Sequence, residues 1–159
     1  MANSPATNIP RMNLTVAASG VFQFKVEGYS FTKEAAKSDR EYYQSDKFTV
    51  GGYDWAVRYY PSKGGHGKFE VGLALLNRAH DAVAVRFALS LLCKSGVPSD
   101  ERKAVAAATV SATSSSIGSL RARDVLCFHV LHESMEEFVV EDSFVLHCTV
   151  SVLKRPASF

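Results

Sequence analysis

The chain predicts an all-β fold, an antiparallel β-sandwich of about eight strands with one or two short helices. Three observations carry this. Apolar and polar side chains alternate with period two at strand length, clusters of turn-forming residues fall between the runs, and no long crossover helix links them. At 159 residues the chain has a one-domain length and buries a sizeable core without needing disulfides.

The first stripe is Phe22, Phe24 and Val26, inside the run Gly20 to Ser30. The second begins at Phe48-Thr49-Val50, where Gly51-Gly52 supplies the backbone freedom of a tight reversal. The strand beyond it splits by pleat: Trp55, Val57 and Tyr59 share one face, and Ala56, Arg58 and Tyr60 the other. Trp55 is therefore expected in the core and Arg58 in solvent. Pro61 ends this strand, since it cannot donate to a ladder. Ser62 to Gly65 reads as a hairpin turn, followed by the stripe Phe69, Val71, Leu73 and Leu75. Asn77 to Asp81 is a turn, and Val83, Val85, Phe87, Leu89 and Leu91 form the next stripe. Ser95-Gly96-Val97-Pro98 punctuates again. Lys103 to Ser116, rich in Ala, Ser and Thr, reads as an exposed linking segment or an irregular strand, because Thr109, Thr113 and Ser114 to Ser116 oppose helix. The last stripe is Phe144, Leu146, Cys148, Val150 and Val152.

Composition excludes several classes of function. The 18 basic and 16 acidic residues leave a net charge of +2 without a basic stripe, so nucleic acid is not an expected partner. No apolar run reaches the roughly 20 residues of a membrane span, and Met1 to Arg11 does not read as a secretory signal. The three cysteines Cys93, Cys127 and Cys148 are odd in number and lack Cys-x-x-Cys spacing. A reducing, cytoplasmic or nuclear setting is expected. Asn13-Leu14-Thr15 fits the glycosylation pattern, a short motif that arises often by chance and would go unmodified in that setting.

The sites of chemistry fail on spacing. Gly64-Gly65-His66-Gly67-Lys68 lacks a P-loop's first glycine, where Ser62 stands, and its Ser or Thr after the lysine, where Phe69 stands. His129, His132 and His147 with Cys127 and Cys148 offer no four ligands that converge, because His147 and Cys148 point oppositely on a strand. No Gly-x-Ser-x-Gly or electropositive cysteine turn is present. Asp54, Glu70 and Asp142 are scattered carboxylates that mark out no acid-base pair. The expectation is a protein without catalysis, metal or cofactor. Arg58, between Ala56 and Tyr60, stands out as a guanidinium able to line a groove for a peptide backbone or hydroxyl.

The runs Gly20 to Ser30 and Phe48 to Pro61, in that order and about 20 residues apart, resemble the MATH (meprin and TRAF homology) domain, in particular plant MATH-BTB proteins and speckle-type BTB adaptors. The resemblance runs from Gly20 to Leu153 and weakens between Glu101 and Arg123. It implies a TRAF-like sandwich over residues 20–153, with 1–19 a disordered N-terminal segment and 154–159 a tail. It also implies a short helix within His132 to Glu137. Domains of this family hold an extended Ser/Thr-rich peptide as an added strand, backbone bonds giving affinity and pockets selection. The resemblance places the groove arginine on Arg58, the groove phenylalanine on Phe87, and two groove tyrosines on Gly72 and Ile117. The peptide-pairing strand falls on Arg123, Asp124, Val125, Leu126 and Cys127, where only the charged pair matches the family's pattern. Lost aromatics remove stacking walls, so the groove is expected to select differently.

By the same resemblance the chain would recruit target proteins through short linear motifs to a cullin-based ubiquitin ligase, reaching the cullin only via a BTB domain absent from this chain. The alternatives are a free-standing binding or competitor domain, or a non-catalytic appendage of a ubiquitin-specific peptidase.

Overall fold

The computed structural model describes residues 8, 10, 16–62, 67–77, 82–110 and 124–154, the side chains of 124–127 excepted. Nine strands and one helix follow in the order β1 (Val16–Glu27), α1 (Tyr29–Ala35), β2 (Tyr43–Gln44), β3 (Phe48–Val50), β4 (Tyr53–Tyr60), β5 (Lys68–Leu75), β6 (Val83–Leu92), β7 (Pro98–Val110), β8 (Asp124–Leu131) and β9 (Ser143–Leu153). Two antiparallel sheets result. One has the order β1-β9-β6-β7; the other has β2-β4-β5-β8, with β3 also pairing with β4. The all-β sandwich expected from the period-two stripes is the observed fold.

Each stripe supplies one wall of the core. Trp55, Phe69, Val71, Leu73, Val85, Phe87, Leu91, Cys148 and Val150 are fully buried in a single cluster drawn from both sheets. Trp55 has 0% exposure, as its parity requires, and its indole N–H donates to the Val50 carbonyl at 3.1 Å. The tie crosses the hairpin of β3 and β4, whose turn places Gly51 at φ 65° and Gly52 at φ 81°. Both values lie where L side chains are strained, which is why this reversal takes two glycines.

Three sequence expectations change. β1 begins at Val16, not at Gly20: Ser19 pairs with Ser151, their hydroxyls 3.1 Å apart, and Val16 reaches Leu153. Lys103 to Val110 belongs to β7, a regular terminal strand that turns Ala104 and Ala106 inward. Small alanines give such a strand little periodic signal. The remainder of that stretch, 111–116, lies outside the described residues, as do Lys63 to His66 of the β4–β5 turn. Within His132 to Glu137 the helical part is one 3-10 turn, His132–Ser134.

Helix α1 was not legible as an element. It has seven residues, and its N-cap Gly28 lacks a side chain to cap it. The missing acceptor comes from far along the chain. Asp142 Oδ1 accepts both the Ser30 amide at 3.0 Å and the Ser30 hydroxyl at 2.6 Å, and the Asp142 carbonyl accepts the Tyr29 amide at 2.9 Å. Asp142 is thus a structural cap, held in place by a left-handed backbone at φ 58°.

Candidate functional site

The sheet of β4, β5 and β8 turns its odd-numbered β4 residues inward, so Arg58 and its cross-strand neighbours share the opposite face. The register sets a row across four strands: Gln44, Arg58, Gly72 and Leu126. The next row is Tyr60, Glu70 and His129, and beyond it Lys68 stands opposite Leu131. At Gly72 the β5–β8 register shifts, leaving Cys127 as the extra residue of a bulge. A bulge re-aims the strand that carries it. Past it, His129 and Leu131 face outward while Phe128 and Val130 enter the core.

Among the described residues β8 pairs with β5 alone and ends the order of its sheet. Its second edge has no ladder partner among the described residues, and strand addition in general uses such an edge.

Arg58 is half-buried rather than exposed. Its Nε donates to Gln44 Oε1 at 3.0 Å, and its guanidinium carbon lies 4.4 Å above the Tyr42 ring. Tyr42 in turn stands 5.4 Å from the Tyr60 ring. The charge is thereby stacked and oriented, which fixes its direction at little further entropic cost. Tyr42 and Gln44 went unread in the sequence because β2 has only two residues and shows no period. Their signal was the aromatic pair Tyr42-Tyr43 in an otherwise polar stretch.

The other expected groove residues divide. Phe87 does not join Arg58: it lies on β6 of the opposite sheet, with Ala106 and Val150 as its neighbours, and has 0% exposure. Its ring fills the core and cannot flank a surface-bound peptide, so that expectation is corrected. Gly72 lies directly beside Arg58. Asp124, Val125 and Leu126 pair with Ala74, Leu73 and Gly72, which places this stretch on β8 as expected. Ile117 and Arg123 lie outside the described residues.

The titratable groups with displaced pKa values form a structural cluster. The His132 Nε2–H donates to the Pro61 carbonyl at 2.8 Å, so in the neutral ring Nδ1 accepts from the Tyr29 hydroxyl at 2.6 Å. Burial pushes His132 below the ordinary histidine range and Tyr29 up to about 12. The Ser30 hydrogen bonds hold Asp142 below the usual carboxylate range. His132 thus has both nitrogens committed, and on β9 His147 and the fully buried Cys148 face opposite ways. Among the described residues no three His, Cys, Asp or Glu side chains converge as a ligand set.

The two-sheet antiparallel sandwich and its sequence profile together define a protein-interaction domain. The MATH domain profile matches residues 21–150, and the chain belongs to the MATH family. It is 37% identical over 82 residues to BTB/POZ and MATH domain-containing protein 3 of Arabidopsis thaliana, covering 49% of this chain and 19% of that one. It is 34% identical over 100 residues to BTB/POZ and MATH domain-containing protein 4 of the same plant, covering 60% and 20%. The chain thus spans about a fifth of the length of these relatives. Among the described residues no helix is long and apolar enough to cross a membrane.

Proposed function

We propose that this MATH domain binds extended Ser/Thr-rich segments of target proteins along β8, and that it serves as the substrate-recruiting part of a cullin-based ubiquitin ligase adaptor. The observation that carries the reading is the edge of β8, without a ladder partner among the described residues, on the sheet that also holds the stacked Arg58. The peptide pairs its backbone with β8, and Arg58 engages ligand hydroxyl or carbonyl groups from the same face. The ligase link rests on the BTB/POZ and MATH relatives, since the cullin is reached through a BTB domain.

Strand addition uses the N–H groups of alternate ligand residues. A scan of N-methylated Ser/Thr-rich peptides, titrated by fluorescence anisotropy, should therefore show loss of binding with a two-residue period. The affinity expected without aromatic anchors is tens of micromolar or weaker, about −6 kcal/mol. Arg58→Glu should remove binding and cost the fold about 1 kcal/mol through its lost stacking on Tyr42. Loss without periodicity, or equal binding by the variant, overturns the reading.

A further inference from the structure

β1 is 12 residues long, but the edge facing it from the other sheet is broken into β2, of 2 residues, and β3, of 3. Between them the Ser45 hydroxyl, rather than a backbone carbonyl, accepts the Val57 amide at 2.9 Å. The inward side chains near the end of β1 lack a full partner across the sandwich. Phe24 and Val26 are half-buried, whereas Leu146 and Phe144, their neighbours on β9, are fully closed over.

A cleft of about 650 Å³ opens there, with Tyr59 and Leu146 at its floor. At its rim Phe31 is 69% exposed and Tyr43 47% exposed. The volume falls within the roughly 300–1,000 Å³ of natural binding sites, and exposed aromatics beside a concave apolar floor are the composition of binding hot spots. Both bordering strands are terminal in their sheets, β1 pairing with β9 and β2 with β4. The cleft therefore lies between two sheet edges, a setting that suits an extended chain.

Charge completes the description of the occupant. Glu27 and Asp46 at the mouth outnumber Lys25, which is already 3.6 Å from Glu27. The Asp46 carboxylate has no ion-pair partner among the described residues.

We propose that this cleft is a binding site of its own, for an extended segment of another protein in which a bulky apolar side chain stands beside a lysine or arginine. The apolar group fills the space between Phe24, Phe31 and Tyr43, and the cation meets Asp46. The site is bordered by β1 and β2, the latter at the opposite end of its sheet from β8, and it does not depend on the reading of β8 above.

The probe is a fluorescein-labelled peptide without Ser or Thr, Gly-Gln-Asn-Phe-Lys-Asn-Gln-Gly, with a twin carrying Glu in place of Lys. Anisotropy titration should show saturable binding of the lysine peptide, weakened about tenfold or more by the double variant Phe31→Ser/Tyr43→Ser. Asp46→Lys should reverse the preference between the twins. Phe31, Tyr43 and Asp46 are exposed, so these variants keep the fold, as circular dichroism would check. Equal affinity for the twins, no binding of either, or unchanged affinity in the double variant overturns the proposal. So does self-association of the free chain that Tyr43→Ser abolishes, which would assign the cleft to a second copy. Binding lost in Arg58→Glu but kept in the double variant would place the peptide on the β8 face and overturn it too.

Discussion

Trp55 illustrates how one side chain joins two levels of the structure. It is wholly buried and also ties β4 to β3 through the Val50 carbonyl. Trp55→Ala should cost about 3–5 kcal/mol, read as a shift of the urea midpoint at constant slope. His132 makes a different prediction, one of sign. Burial lowers its pKa in the folded protein, so below the unfolded value of about 6.5 the unfolded chain binds more protons than the folded one. Stability contributed by the neutral ring is therefore present above about pH 6.5 and is lost as pH falls. Between about pH 7 and pH 5 the urea midpoint should drop in the wild type and drop less in His132→Gln. An equal slope in both proteins would move the effect to another group.

At the scale of the elements, the β3–β4 turn separates two causes that usually come together. Gly51 and Gly52 both have positive φ, but a Cβ on Gly51 would lie 2.8 Å from a methyl of Val152, while one on Gly52 would meet nothing within 4 Å. Gly52→Ala should cost the conformational strain alone, about 1–2 kcal/mol, and Gly51→Ala measurably more, because β9 must also shift. Thermal unfolding of the two variants gives the comparison. The same elements show what a sequence can disclose. Stripes such as Phe69 to Leu75 were legible because one face of each strand is buried, which imprints period two on the residues. α1 was not, because Asp142, which caps it, stands 112 residues from Ser30. In the candidate site the register of β4 marked the face of Arg58, but its partners Tyr42 and Gln44 lie just before and on the two-residue β2. Phe87 was misplaced by analogy, although its stripe with Val85 and Leu89 already assigned it to the interior.

Over the whole molecule, stability rests on burial shared by two sheets. Cys148 is buried and Cys93 half-buried. The melting temperature should accordingly be unchanged by a chelator or a thiol reductant, and a fall with either would reveal a ligand set or bond that spacing did not mark. The order β1-β9-β6-β7 has a consequence in time. β9, the last of the described strands in chain order, is an inner strand, and the segments on both its sides are made long before it. Until the ribosome releases residues 143–153, β1 has no neighbour in its sheet and β6 has one side open, so a nascent chain carries two unsatisfied apolar edges for most of its synthesis. At roughly 5–20 residues per second this interval lasts many seconds. Its sheet is thus completed by a closing step rather than by gradual accretion.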